Sequence, residues 1–386
     1  MRLVLDFAIV AVAVWAQWAL GRRLARAAQG MSRTGAAFAR ATGALCAAWC
    51  LSGLLLNLWA GYTHYPLSAE VRIFWCGAAF VWALGSTGAA LWLRCWEAVS
   101  RRISPADPGR RRLLRTAGVA LAGTPFAVTG FGTFIQRTSF RVRETAIAIP
   151  GLAPELAGFR IVQLSDIHLG PFLSAPELAR AVAAANELQG DLAVITGDLI
   201  SVAGDPLDEC LEQLARLRSP HGLFGCLGNH ELHAEAEDYT ERAGRRRGID
   251  FLRRRAVLLR IGGARLNLAG VDYQRTQDRP RYLQGCETLR ADGALNILLS
   301  HNPDVFPAAV RKGFDLTLAG HTHGGQVTVE ILEQTVNVAR FVTPFVAGRY
   351  QQEGKSLYVS RGIGTIGMPT RLGAAPEITL LRLELA

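Results

Sequence analysis

The hydrophobic pattern divides the chain into two parts. Up to residue 135, four long apolar stretches follow one another, at 3–20, 41–60, 73–93 and 113–135. A helix needs ~20 apolar residues to cross the hydrocarbon core of a bilayer. These stretches reach that length and are apolar all round rather than along one stripe. They predict four transmembrane helices. Beyond them the apolar runs shorten. Runs at 160–164, 192–196, 223–227, 295–300 and 315–319 read as buried strands. Between them, 174–188 opens on Ser174 followed by Pro176 and Glu177 and carries helical apolar spacing. Further helices fit 206–217 and 234–247. Alternation at 139–149 and 378–385, and runs at 265–270 and 357–361, predict further strands. Strand–helix alternation gives way to a strand-rich C-terminal half, so the second part is of the α/β (α+β) class. The pattern predicts a membrane anchor over 1–136 and a folded domain over 137–386.

Charge then orients the spans. The formal net charge is +10 and almost all of the positive charge is arginine, Lys312 and Lys355 being the lysines. The first loop carries Arg22, Arg23, Arg26, Arg33 and Arg40, and the third carries Arg94, Arg101, Arg102, Arg110, Arg111 and Arg112. The loop at 61–71 has no Lys or Arg. The positive-inside rule puts the two basic loops in the cytoplasm and the N-terminus and the folded domain outside it. Arg137, Arg141 and Arg143 weigh the other way but are outnumbered. Arg111-Arg112-Leu113-Leu114 also resembles a twin-arginine export signal. Its depth in the chain favours a basic anchor for the fourth span, and both readings place the domain outside.

Trp15, Trp18, Trp59, Trp75, Trp92 and Trp96 lie at or near span ends, as an interfacial belt requires. His64 and Tyr65 fall on the short outer loop and read as exposed. No span carries a cluster of central charges, which argues against a transporter. The seven cysteines form no spacing framework. Cys46, Cys50, Cys76 and Cys95 lie in or beside spans, Cys226 reads as strand core, and Cys210 and Cys286 are a candidate pair in an oxidising compartment.

The chemistry gathers at strand ends. The five buried runs lead into Asp166-Ile167-His168, Gly197-Asp198, Gly228-Asn229-His230-Glu231, His301-Asn302-Pro303 and Gly320-His321-Thr322-His323-Gly324-Gly325. Five of the eight histidines lie in these motifs. Strand ends of an α/β sheet converge in space. Imidazole and carboxylate donors together suit Mn, Fe, Zn or Ni better than Ca or Mg.

This order of motifs resembles the calcineurin-like metallophosphoesterase superfamily over residues 145–386. The stretches 357–362 and 376–378 further resemble its bacterial membrane-associated branch. The resemblance implies a two-sheet αββα sandwich after the four transmembrane helices. It implies two divalent ions, one held by Asp166, His168, Asp198 and His323 and the other by Asp198, Asn229, His301 and His321. Asp198 would bridge them. Two such ions lower the pKa of a bound water, so that hydroxide is available to attack phosphorus. His230 would stabilise the transition state or protonate the leaving group. Glu231 either orients His230 or stands as a solvated acid.

Arg275, Arg361 and His233 are candidates for substrate contact, with Tyr273, Arg279 and Arg371 on weaker grounds; Arg pairs well with phosphate oxygens. The basic runs at 245–247 and 253–255 read as a solvated face. They lack base-stacking aromatics, so no nucleic acid is expected. The expected protein is a multi-pass phosphohydrolase of the bacterial inner membrane, its site facing the periplasm. It would hydrolyse phosphodiester, phosphomonoester or pyrophosphate bonds, on a phosphoester substrate that the anchor suggests is lipid-linked. Alternatives are a UDP-diacylglucosamine-type pyrophosphatase of lipid A synthesis and a non-catalytic metal-loaded binding module at the bilayer.

Overall fold

A computed structural model describes residues 2–63, 67–68, 70–102, 108–331 and 334–386; His64 and Tyr65 lie outside the described residues. The chain forms two compact units, Met1–Ile135 with Gly367–Thr370, and Gln136–Ile366 with Arg371–Ala386.

The first unit is helical: α1 (Arg2–Ala27), α2 (Arg33–Thr63), α3 (Ala78–Arg102), α4 (Pro108–Leu121) and α5 (Thr124–Phe134). A π-helical segment, Val71–Gly77, leads into α3. Four segments are long and apolar enough to cross a membrane, Phe7–Gly30, Arg33–Ala60, Phe74–Ser100 and Thr116–Thr138, which marks a multi-pass membrane protein. Where the helices meet, the buried residues are mostly small: Ala13, Cys50 and Ala83 around Leu54, and Ala16, Ala19 and Ala90. Small side chains let helices approach closely where hydrophobicity cannot drive association. The polar Gln17 is satisfied within the bundle, donating to Ser86 Oγ at 2.8 Å and accepting from Trp82 Nε1 at 3.2 Å. The apolar run 113–135 is not one helix. It breaks at Ala122 and Gly123, because Pro125 has no N–H to give the carbonyl of Leu121.

The second unit holds two mixed six-stranded sheets packed face to face, the sandwich typical of metallophosphoesterases. In the first, the order is β1 (Arg141–Ile149), β14 (Glu377–Leu385), β2 (Arg160–Leu164), β3 (Leu192–Thr196), β4 (Leu223–Cys226), β5 (Ile249–Phe251). In the second it is β12 (Gly348–Gln352), β13 (Lys355–Val359), β9 (Leu316–Ala319), β8 (Leu295–Leu299), β7 (Ala264–Gly270), β6 (Arg255–Ile261). Strands β2 to β5 run parallel, as do β7, β8 and β9. Parallel strands covered on both faces read as continuous apolar runs, and β3 (LAVIT) and β8 (LNILL) are buried throughout. Ile161, Val194, Cys226, Leu266, Ile297, Leu316, Tyr358 and Leu381 fill the space between the sheets.

Helices α6 (Ala175–Glu187) and α7 (Leu207–Leu214) cover the outer face of the first sheet with Leu178, Val182, Leu211 and Leu214. Helix α6 begins where its capping sequence says, with Glu177 accepting from the Ser174 N–H at 2.8 Å. The short helices α8 (Asn229–His233), α9 (Glu237–Arg246) and α10 (Phe306–Arg311) complete the unit, with a two-stranded hairpin of β10 (Thr328–Ile331) and β11 (Gln334–Asn337). Cys210 and Cys286, the candidate pair, are both free thiols buried in separate core clusters.

Candidate metal centre

The motif residues follow directly on the C-terminal ends of β2, β3, β4, β8 and β9. Their side chains meet because the backbone there leaves the strand abruptly. Asp166, His168, Asp198, His321 and His323 all have left-handed backbone, with φ of 50°, 50°, 57°, 75° and 53°. That conformation costs an L-residue roughly 1–2 kcal/mol, and Asp and His are among the residues that tolerate it best. Hydrogen bonds between neighbouring strand ends hold it. The Asp166 N–H donates to Gly197 O at 3.0 Å, the His168 N–H to Asp198 O at 3.0 Å, and the His321 N–H to Asp166 Oδ1 at 2.9 Å.

Three groups of donors result: Asp166, His168 and His323; His168, Asp198 and His230; Asp198, His301 and His321. Asp198 belongs to two of them. Its Oδ2 lies 3.0 Å from His301 Nε2 and 3.6 Å from His168 Nε2, while its Oδ1 accepts from the His230 N–H at 2.9 Å. His168 Nε2 and His323 Nε2 are 3.2 Å apart, and so are His321 Nδ1 and His301 Nε2. Carbonyl oxygens only accept, so the contacts of His301 Nδ1 with Thr196 O (2.6 Å) and of His230 Nδ1 with Ser201 O (2.5 Å) fix a proton on each Nδ1. The Nε2 atoms are thereby turned toward the cluster.

Burial sets the charges. It drives the His168 and His321 rings down to about 3, helped by His230 and His301 respectively. It holds His323 well below the ordinary histidine range, with His168 adding to the effect. These rings stay neutral, which is the metal-ligating form. Burial lifts the Asp166 carboxyl to about 6 against the pull of His301. Burial also opposes charge on Asp198, but His301, His230 and His168 together hold its carboxyl well below the usual range. His301 is the reciprocal case: burial works against its cationic form, and Asp198 lifts it to about 9.

Two further observations show that this donor set fits divalent metal ions. Asp166 Oδ2 and Asn229 Oδ1 are buried without a hydrogen-bond partner, and buried polar atoms rarely go unpaired without a functional reason. Glycines also leave room for the carboxylates. A Cβ on Gly228 would lie 2.1 Å from Asp198 Oδ1, and one on Gly320 would lie 2.3 Å from Asp166 Oδ2.

Glu231 takes neither of its expected places. It is fully buried and accepts from the backbone N–H groups of Asp198 (3.0 Å), Leu199 (2.7 Å) and Gly228 (2.8 Å). It therefore ties the Asp198 turn to the Asn229 turn. His233 is exposed, its ring 6.0 Å edge-on from that of His230. Tyr273 places its ring 5.5 Å from His321 and 6.0 Å from His301. Arg275, exposed, lines a cavity of about 260 Å³ with Tyr273, Asp272, Glu237, Leu232 and Gly228. Arg361 pairs with the buried Glu377 at 3.1 Å, and its stem lies over Gly324. Arg371, a weaker candidate for substrate contact, is fully buried. The basic runs are partnered by acids: Arg245 by Glu241, Arg247 by Asp208 and Glu212, Arg253 by Asp238 and Asp272, and Arg255 by Asp250. Ser201 supports the cluster from a position that no periodicity or motif spacing marks.

The family model for calcineurin-like phosphoesterase matches residues 159–325. The chain is 31% identical over 326 residues to a transmembrane protein with metallophosphoesterase domain from Bos taurus, a match covering 80% of this chain and 70% of that one. It is 28% identical over 281 residues to the uncharacterized metallophosphoesterase YkuE of Bacillus subtilis (strain 168), covering 71% of this chain and 97% of that one. Among solved structures it is similar to Thermus thermophilus sulfate thiohydrolase SoxB in complex with glycerol, with a TM-score of 0.36 and 16% identity, covering 60% of this chain and 57% of that one.

Proposed function

The chain belongs to the calcineurin-like phosphoesterase family, and we propose that it is a membrane-anchored phosphohydrolase that uses two divalent ions to cleave phosphodiester bonds. Residues 1–136 are the anchor and 137–386 the catalytic domain. The observation that carries this reading is the position of Asp198, whose carboxylate is shared by two donor groups, with His230 beside it. Asp166, His168, Asp198 and His323 would hold one ion, and Asp198, Asn229, His301 and His321 the other. Bound there, ions of the Mn, Fe, Zn or Ni kind supply Lewis acidity and lower the pKa of water.

The chain's own groups do the rest. His230 is locked through Nδ1 to the Ser201 carbonyl, so Nε2 is its one atom free to take and give a proton. Protonated there, it opposes charge building on the phosphoryl oxygens and hands its proton to the leaving oxygen. Tyr273 keeps its hydroxyl protonated, since burial pushes its pKa up and Asp198 adds to this. It offers a neutral donor at the rim, and Arg275 a charged one over the adjacent cavity. Asn229 contributes a carbonyl oxygen without adding negative charge toward an anionic substrate.

The arginine-rich first and third loops support an extracytoplasmic active site in a bacterial inner membrane. The anchor favours a lipid-linked phosphodiester, because it holds the domain near a bilayer. The test uses the full chain in detergent, stripped of metal and reloaded with Mn²⁺, acting on bis(p-nitrophenyl) phosphate and on p-nitrophenyl phosphate. Metal-dependent diester cleavage that is lost in Asp198→Ala and His230→Ala is the expected result. Faster turnover of the monoester would overturn the diester preference, and no turnover by an ion-loaded chain would overturn the reading.

A further inference from the structure

Among the described residues Arg371 is the largest fully buried side chain; the Asp166 and Glu377 carboxylates act on it through space without a direct ion pair. Burying a lone guanidinium is expensive unless its donors are all used. Here they are spent on backbone carbonyls. Nε donates to Gly364 O at 3.0 Å, and Nη1 to Ala374 O at 3.0 Å and His323 O at 3.4 Å. Nη2 donates to Arg361 O at 2.9 Å, Gly362 O at 3.2 Å and Gly364 O, and lies 3.4 Å from His323 Nδ1. Three of these acceptors belong to one turn, Arg361 to Gly364.

That turn lies against the ligand segment of β2. The Ile363 N–H donates to Ser165 O at 3.0 Å and the Gly364 N–H to Asp166 O at 2.7 Å. The fit leaves no slack: a Cβ on Gly364 would lie 2.1 Å from Ile167 O, and one on Gly362 would lie 2.5 Å from Asp166 Cβ. Of the two partners outside that turn, His323 sits in a run of left-handed residues from His323 through Gln326. A second clasp holds the far end of that run. Gln326 Nε2 donates to Ile366 O at 3.1 Å, and Gln326 Oε1 accepts from the Ile366 N–H at 3.0 Å.

We infer that Arg371 is a positioning residue for the metal centre: its guanidinium pins the Arg361–Gly364 turn behind Asp166 and His168 and holds the His323 backbone in its left-handed turn, so that three ligands from two sheets keep one geometry. The inference rests on the ligand assignment proposed above. It moves an arginine that the sequence marks as a weaker candidate for substrate contact to a fully buried place. Arginine suits the task because its planar fork of five N–H groups spans several carbonyls at once. Lysine keeps the charge but offers a point donor. Residues that orient ligands from behind typically change metal affinity by about 10–100-fold.

The test compares the full-length wild type, Arg371→Lys and Gln326→Leu by isothermal titration with Mn²⁺ and by melting temperature. In wild type, two ions per chain are expected. In Arg371→Lys, one ion should bind as in wild type and the other at least about tenfold more weakly. Gln326→Leu, which removes the side-chain bonds to Ile366 and leaves the backbone bond from Gln326 N–H to His323 O in place, should melt earlier but bind both ions normally. A folded Arg371→Lys with two wild-type affinities would sink the inference, as would equal loss of an ion in Gln326→Leu. If wild type itself takes up no ion, the ligand assignment fails, and the positioning role with it. Should Arg371→Lys not fold, hydrogen exchange in wild type decides: Mn²⁺ should slow exchange over 371–374, and unchanged exchange overturns the role.

Discussion

His168 and His323 face each other through Nε2 atoms 3.2 Å apart, their rings stacked with centroids 4.9 Å apart. Burial keeps both rings unprotonated, so neither supplies a cation to hold the pair together. A divalent ion shared by the two should therefore stabilise the folded state. By mass action the gain is about 2.7 kcal/mol at an ion concentration a hundred times Kd. Melting followed by circular dichroism should rise on adding Mn²⁺ to chelator-treated protein. The rise should shrink in His168→Ala and in His323→Ala. An identical rise in both variants would mean that the ion binds elsewhere.

Asp198 and His230 should fail in different ways. Asp198→Ala removes the carboxylate shared by two donor groups, so bound metal measured by elemental analysis and turnover should both collapse. His230→Ala should keep its metal and lose kcat by about 10²–10⁴-fold, the usual contribution of a positioned acid or base. Metal loss in His230→Ala would place that ring among the ligands instead.

Glu231 is surrounded by donors. An amide in its place would turn an NH₂ group toward backbone N–H groups, and a buried unsatisfied group costs about 1–3 kcal/mol. Glu231→Gln should lower the urea midpoint and should also weaken metal binding, because the Asp198 turn loses its tie to Gly228. An unchanged midpoint would show that one oxygen suffices.

Tyr358 supplies a pH dependence that owes nothing to metal. Its hydroxyl, buried between the sheets, donates to Glu377 Oε1 at 2.6 Å. Burial first, and the Glu377 carboxylate second, push its pKa up from the ordinary tyrosine value. A raised folded-state pKa means that the phenol's contribution is fully present below the unfolded pKa of about 10. It is lost as pH rises through the higher folded value. Stability should therefore decline at alkaline pH beyond 10, and Tyr358→Phe should flatten that decline while lowering stability at neutral pH. A decline of equal slope in the variant would assign it to other groups.

Much of this architecture can be read from the residues. The strand ends could be read because parallel, doubly covered strands leave unbroken apolar runs, so the polar residue that ends each run stands out. Helix α6 could be read from Ser174 and Glu177, since a capping box is a local device. The parts played by Arg371 and Glu231 could not. A charged side chain that satisfies itself on backbone carbonyls or N–H groups leaves no pattern, because its partners are groups that every residue carries. The break in the fourth apolar segment was hidden differently: hydropathy averages over Pro125, whose missing donor acts at a single turn.

The left-handed ligands bear on how such a site can change over generations. Of the side chains able to hold a metal, Asp, Asn and His adopt φ near 50° most readily, so the backbone favours them before chemistry is consulted. Cysteine and glutamate, adequate donors elsewhere, would carry a conformational penalty at residues 166, 168, 198, 321 and 323. Exchanges among Asp, Asn and His should therefore cost the backbone least at these positions. A lineage that abandons the chemistry should betray it first by glycine, which relieves the backbone and removes the donor in one substitution.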